Sequence, residues 1–341
     1  MVIVRAPVRI SFGGGGTDLA AYYNQFGGFV VSASITRYCY VTARRPADGS
    51  IRINSADYRA WEAFAPGVVP PVAEPLVLPK AAIECFADQG VRETGVDLFL
   101  ASEVPPGTGL GSSSAMAVAL IHALAAYVGE PLRAEQAADL ACHLEIERLD
   151  MPIGKQDQYA SAFGGLNTIE FQSERVRVER LPVRPEVAAE LNARLMLFST
   201  GHSRNSAGIL RQQRADTGTN RAVIESLHRI KALGKEMCAA LVAEDLDQFG
   251  RLLDQVWHEK RSLSGNVSSA AIDVWYGAAR EAGALGGKIA GAGGGGFMLL
   301  YCPQPAQAGV RTALARHGLS ELTFDFDDVG AQVLRGIEQT C

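Results

Sequence analysis

The sequence predicts two domains that mix helices and strands, and three observations carry that reading. A chain of 341 residues suits two domains or one large one. Its strand-like and helix-like stretches do not alternate as a parallel α/β sheet requires, because a glycine-rich segment in the middle is followed by helix after helix. The composition shifts near residues 165–172, which sets the expected domains at 1–168 and 169–341.

The elements follow in order. Val2 to Phe12 alternates as a strand and runs into Gly13–Gly16, after which Thr17 and Asp18 can cap a short helix, Leu19 to Gln25. Phe29 to Arg44 and Ser50 to Asn54 are rich in β-branched and aromatic residues and predict strands. A proline-rich loop, Pro66 to Pro79, precedes a helix, Lys80 to Gln89, and a strand, Val96 to Ala101. The glycine-rich segment Pro105–Ser114 opens the apolar helix Ala115 to Val128, and Ala134 to Leu149 predicts a second helix. Gly154–Gln158 opens another short helix, Leu166 to Phe171 and Arg175 to Leu181 predict a hairpin, and Arg194 to Ser199 a strand. Helical periodicity then fills Ile209 to Arg261 and Ser269 to Glu281. The end reads as strand, glycine loop (Gly291–Gly296), strand (Phe297–Cys302), helix and strand (Leu322–Phe326).

Composition excludes several classes. The formal net charge is -5 and the chain has no basic run, so it lacks the electrostatic footprint of a nucleic-acid binder. The apolar stretch Met116 to Val128 contains His122 and is too short to span a bilayer. No basic region followed by a long apolar stretch marks a signal peptide. The six cysteines form no CxxC pair and the six histidines show no metal-ligand spacing, which speaks against a zinc site or a disulfide framework. The expectation is a soluble cytoplasmic protein that binds neither nucleic acid nor membrane.

Pro105-Pro106-Gly107-Thr108-Gly109-Leu110-Gly111-Ser112-Ser113-Ser114 says most about function. Glycines let a backbone close around an oxyanion, and the N–H groups and dipole of the following helix favour negative charge there. The segment therefore predicts a phosphate cradle. A Walker A loop needs a lysine that is missing here. A dinucleotide fold needs a strand after the first helix, and here a second helix follows. A nucleoside-triphosphate cradle of another design remains.

Three glycine-rich segments stand at the start, middle and end of the chain. Arg5-Ala6-Pro7-Val8-Arg9 through Asp18, the Pro105 to Ala115 cradle, and Gly291–Gly296 resemble, in order and spacing, the three motifs of the GHMP kinases. Gly13–Asp18 and Gly154-Lys155-Gln156-Asp157-Gln158-Tyr159 are most similar to the heptose 7-phosphate kinase branch of that superfamily. The resemblance implies an α+β fold of two domains, an N-terminal one like domain 2 of ribosomal protein S5 and a ferredoxin-like C-terminal one, with the active site between them. It implies ATP and Mg²⁺ as cofactors and a small-molecule sugar phosphate as substrate, and it admits a homodimer.

The same resemblance assigns residues. Pro106, Gly107, Gly109, Leu110, Gly111, Ser112, Ser113 and Ser114 would hold ATP. Ser113 and a glutamate would hold magnesium through oxygen. Glu145 and Glu147 point to different helix faces, and matching the family's Glu-Arg pair selects Glu147. Asp157 matches the family's catalytic aspartate, and Arg9 would keep it ionised and aimed at the sugar hydroxyl. Asp18, with Gly15, Gly16 and Thr17, would contact the sugar. The galactokinase Glu-His pair is replaced by Gly15-Gly16, which argues against galactose and leaves room for a larger or phosphorylated sugar. Lys155, Arg37 and Arg204 are the candidates for a substrate phosphate, and Gly293 and Gly294 would close the site near the phosphates. The implied reaction puts the γ-phosphate of ATP on the anomeric hydroxyl of D-glycero-D-manno-heptose 7-phosphate, giving the 1,7-bisphosphate for GDP-heptose and surface polysaccharide. Rival readings are a fucokinase-like anomeric kinase and a non-catalytic regulator that binds sugar and ATP.

Overall fold

The structure, a computed structural model, describes residues 1–201 and 206–335. A first sheet contains β1 (Val2–Gly13), β2 (Gly28–Arg44), β3 (Ile51–Ser55), β4 (Ala60–Phe64), β5 (Val96–Ser102), β6 (Leu166–Phe171) and β7 (Val176–Arg180). A second contains β8 (Leu195–Ser199), β9 (Gly286–Ile289), β10 (Phe297–Tyr301) and β11 (Ser320–Glu321), and β12 (Gln332–Arg335) returns to the edge of the first beside β1.

β1 alternates buried and half-exposed at its start, then is buried on both faces from Ala6 onward. That change follows from packing: the helices Ser112–Val128, Gln156–Phe163 and Arg221–Val242 all lie against β1 or β2. The Ser112–Val128 helix is apolar on every side and is buried along most of its length, as an all-round hydrophobic helix must be. In the second sheet the chain order is strand, helices, strand, strand, helix, strand. The spatial order is β11-β8-β10-β9, with antiparallel pairing throughout. That is the split βαβ arrangement of a ferredoxin-like unit. The α+β class is thus observed. Among the described residues no helix is long and apolar enough to cross a membrane.

Several expectations need correction. The boundary at 168/169 cuts through β6, all of which pairs with β2 in the first sheet. The predicted strand Leu322–Phe326 is not one. Only Ser320–Glu321 pair with β8, while Phe326 bridges Ile35 in β2. Leu322, Phe324 and Phe326 alternate because they pack on the core as the chain crosses from one sheet to the other. The helix predicted over Ala134–Leu149 is α-helical to Cys142 and becomes a π-helix over His143–Arg148. Thr17 and Asp18 do not cap the first helix, whose N-cap position is Leu19.

Candidate active site

Arg9 leaves β1 toward a cavity of about 300 Å³ that runs from the glycine-rich cradle to the C-terminal unit. Its backbone N–H donates to the Leu110 carbonyl at 2.9 Å, which fixes β1 beside the cradle. Its guanidinium, 3 % exposed, donates from Nε to Asp157 Oδ1 at 2.8 Å and from Nη1 to the Gly109 carbonyl at 2.6 Å. Nη2 lies 2.6 Å from the same Oδ1. Asp157 stands in the first turn of the Gln156–Phe163 helix. One side chain thereby ties the aspartate to the cradle, with the charge-assisted geometry that only a planar guanidinium offers.

The cradle closes on the C-terminal glycine loop. Gly109 has φ +85°, and a Cβ there would lie 2.5 Å from the Ala290 carbonyl oxygen; a Cβ on Gly291 would lie 2.5 Å from Gly109 Cα. Two backbones therefore meet where no side chain fits. Pro106, Gly107, Gly109, Gly111 and Ser112–Ser114 all line the cavity. Leu110, expected among them, is fully buried in the core and contributes its carbonyl to Arg9 instead.

The carboxylate beside the cradle is Glu145, which corrects the choice of Glu147. Glu145 is fully buried and accepts from Ser113 Oγ at 2.7 Å and Gln158 Nε2 at 2.6 Å. Burial pushes its carboxyl up to about 7, against the opposing pull of bonds from Ser113, Ser114 and Gln158. The Glu147 side chain is 65 % exposed and pairs with His143 one turn back at 2.8 Å. A π-helical turn carries more residues than an α-helical one, so the faces of residues 143–148 do not follow an α-helical count from Ala134.

Asp18 sits at the other side of the cavity, 3 % exposed. Its Oδ1 accepts from Gly16 N–H at 2.9 Å, and its Oδ2 accepts from Gln156 Nε2 at 3.0 Å. Burial and nearby Asp157 raise its pKa, against the opposing bonds from backbone N–H groups. Gly15 and Gly16 line the same wall. Thr17, expected to touch substrate, is instead fully buried: its hydroxyl bonds the Gly14 and Phe29 carbonyls and accepts from Phe29 N–H. Lys155 is absent from the cavity wall and sets its ammonium 5.6 Å from the Tyr23 ring centroid. Arg37 is held at Thr323, also off the wall. Arg204 lies outside the described residues. Gly293 and Gly294 turn to Val267, where Gly294 N–H donates to the Val267 carbonyl at 2.8 Å. Gly291 and Ala292 face the cavity in their place.

Two charged residues on the wall escaped sequence reasoning, Lys260 and Lys288. Lys260 ends the Leu246–Arg261 helix and Lys288 sits in β9. Neither position stands out in sequence, since a lysine in the last turn of a helix usually complements the helix dipole. An apolar strand enclosing Lys288 was the one available signal.

A glycine cradle at a helix N-terminus, with an arginine-held aspartate and buried cations at its mouth, defines a phosphotransferase acting on a small-molecule hydroxyl. The descriptions "GHMP kinases N terminal domain" and "GHMP kinases C terminal" match residues 77–165 and 223–319. The chain is 31% identical over 333 residues to D-glycero-alpha-D-manno-heptose 7-phosphate kinase of Campylobacter jejuni, covering 97% of this chain and 98% of the relative. It is 26% identical to the L-fucokinase/L-fucose-1-P guanylyltransferase of Bacteroides fragilis, over 90% of this chain and 35% of that longer protein. A D-glycero-D-manno-heptose 1-phosphate kinase structure from Bacteroides thetaiotaomicron superposes with a TM-score of 0.83 at 28% identity, covering 99% of this chain and all of that one. The chain belongs to the GHMP kinase family. It is an ATP-dependent phosphotransferase with an alcohol acceptor, a sugar kinase of that family.

Proposed function

We propose that this kinase phosphorylates the anomeric hydroxyl of D-glycero-D-manno-heptose 7-phosphate, releasing ADP and the 1,7-bisphosphate. The observation that carries the reading is the Arg9–Asp157 pair at the cradle's mouth, facing a sugar wall stripped of side chains at Gly15 and Gly16. A Campylobacter relative of nearly equal length, named for that substrate, supports it.

The residues divide the work. Backbone N–H groups and hydroxyls of Gly107–Ser114 hold the triphosphate at the dipole's positive end. Glu145 is a buried carboxylate whose hydrogen-bond partners, Ser113, Ser114 and Gln158, are all neutral. With the Ser113 hydroxyl it offers hard oxygen donors that fit Mg²⁺, which when bound would neutralise charge on the phosphate oxygens. Asp157 accepts the proton of the anomeric hydroxyl, while Arg9 holds the carboxylate in place for in-line attack on the γ-phosphorus. Asp18, fixed by Gly16 and Gln156, accepts hydrogen bonds from ring hydroxyls of the sugar.

The test is ADP release from ATP and magnesium with a panel of fucose, mannose, galactose, mannose 6-phosphate, sedoheptulose 7-phosphate and D-glycero-D-manno-heptose 7-phosphate. Turnover confined to the heptose phosphate supports the reading. Preferred turnover of fucose or another unphosphorylated sugar overturns it, and silence with ATP still bound would favour a regulator.

A further inference from the structure

Two lysine side chains line the cavity, and neither has a carboxylate within salt-bridge distance among the described residues, although Asp18 acts on both through space. Lys288 Nζ donates to the Ser11 and Phe12 carbonyls at 2.7 and 3.3 Å. Lys260 Nζ donates to the carbonyls of Ile289, at 3.3 Å, and Gly291. Between them and the sugar wall stands Ser11, 7 % exposed, whose hydroxyl has no hydrogen-bond partner. A Cβ on Gly15 would lie 3.7 Å from that hydroxyl, so Gly15 sets no side chain against it.

The wall carries three cations, Arg9, Lys260 and Lys288, against two carboxylates, Asp157 and Asp18. Arg9 is matched by Asp157, while Asp18, hydrogen-bonded by the neutral Gly16 and Gln156, attracts both lysines from beyond salt-bridge distance. Lys288 is buried and Lys260 half-buried, and the hydrogen bonds of both go to carbonyl oxygens. A buried charge without a counter-ion is costly. Their acidity reflects this: burial, followed by the neighbouring cations and only partly opposed by Asp18, brings Lys260 down to about 7 and Lys288 well below its ordinary value. An unpartnered hydroxyl and two unmatched ammonium groups facing one space form a receptor for an anion with several acceptor oxygens.

We propose that Lys260, Lys288 and Ser11 form a second phosphate subsite, separate from the nucleotide cradle, which binds the phosphate ester carried by the acceptor sugar. The inference rests on the function proposed above and names the groups that read the phosphorylated end of that substrate. Position favours the acceptor over the nucleotide. The triphosphate has its own cradle at the N-terminus of the Ser112–Val128 helix. Ser11 instead lies two residues along β1 from Arg9 and on the same face of the strand. That spacing, roughly 7 Å for two residues of extended chain, puts proton acceptance at Arg9–Asp157 and phosphate binding at Ser11 near opposite ends of one sugar.

The experiment separates this subsite from the cradle and from the identity of the sugar. The full-length protein is saturated with magnesium and a non-hydrolysable ATP analogue, and inorganic phosphate is titrated calorimetrically. Wild type should bind phosphate in this state. Lys260→Met and Lys288→Met should each weaken it at least tenfold, Ser11→Ala a few-fold, and Lys→Arg at either position should restore part of the loss. Retained binding of the ATP analogue shows that each variant is folded. In steady state the methionine variants should lower kcat/KM for heptose 7-phosphate at least tenfold relative to the same heptose without its phosphate. Phosphate binding equal in wild type and variants, or absent from wild type, overturns the proposal. So does an equal fall in kcat/KM on both sugars, which would assign the lysines to the phosphoryl group in transfer. If phosphate binds through these lysines but another sugar phosphate is the substrate, the subsite stands and the heptose assignment falls.

Discussion

Arg9 and Asp157, 148 residues apart in sequence, meet through one carboxylate oxygen: Nε and Nη2 of the arginine converge on Oδ1 at 2.8 and 2.6 Å. The second oxygen, Oδ2, is turned toward Gly111, where a Cβ would approach it to 3.1 Å. One oxygen is thus anchored and the other is presented at the mouth of the cradle. Asp157→Asn should lower kcat by about 10²–10⁴, the usual range for losing a general base, with ATP-analogue affinity retained. Arg9→Lys keeps the charge but loses the fork that reaches Asp157 and Gly109 together, so kcat should fall as well. A variant Asp157→Asn with wild-type turnover would remove the aspartate from the chemistry.

Glu145 and Glu147 should separate cleanly. Glu145→Gln removes the carboxylate bonded to Ser113. It should raise the magnesium concentration needed for half-maximal activity at least tenfold. Glu147→Gln changes an exposed side chain, so both activity and stability should stay near wild type, within about 0.5 kcal/mol. The measurement is a magnesium titration of ADP release alongside thermal unfolding.

Gly154 has no room for a methyl group, since a Cβ there would fall 2.0 Å from Asp18 Oδ2. Gly154→Ala should push Asp18 off Gln156 and raise the sugar KM at least tenfold. The cradle is untouched by that substitution, so ATP-analogue binding should persist. Equal losses in sugar and nucleotide affinity would mean a general disturbance instead.

Lys260 predicts opposite pH trends for two observables. Its native value of about 7 lies below the ordinary 10.5, so between these values the unfolded chain holds a proton that the native one lacks. Its contribution therefore makes stability rise with pH across that window. Phosphate affinity should do the reverse. The probe itself becomes dianionic over the same range, which raises affinity, while loss of the Lys260 proton lowers it above pH 7, so the two effects are separated by comparison with a variant lacking Lys260. Arg9, Asp18 and Lys288 face the same group and set where the fall begins. Lys260→Met should lose the alkaline fall in phosphate binding, read by calorimetry at pH 6 to 9.

Thr17 and Lys155 should prove silent in sugar recognition. Thr17→Val removes the bonds to Gly14 and Phe29 and should cost about 1–3 kcal/mol of stability, measured by denaturant unfolding. The sugar KM should not move. Lys155→Ala should likewise leave the sugar KM unchanged, because its ammonium lies over Tyr23 and off the cavity wall.

The cradle was legible because its chemistry is contiguous: Gly107, Gly109, Gly111 and the three serines carry their meaning within one turn and the start of one helix. Asp18 and the Gly15–Gly16 wall were legible for the same reason. Glu145 was not, since choosing between two carboxylates two residues apart requires the phase of the helix, and the π-turn at His143–Arg148 changes that phase. Leu322–Phe326 misled because alternation reports which side chains are buried, while a strand also needs a neighbour to pair with.

The sequence by itself determined the order of most elements and the cradle, because local backbone preference and apolar period are properties of short stretches of chain, and the resemblance of its three glycine-rich motifs implied the α+β class and the sugar-kinase family. Tertiary structure decided which charges share the cavity. It matched Arg9 to Asp157, left Lys260 and Lys288 with no carboxylate at salt-bridge distance among the described residues, and carried β12 back to β1. A charge acquires its role from the distance to its partners and the water it has lost, and only the folded chain sets both.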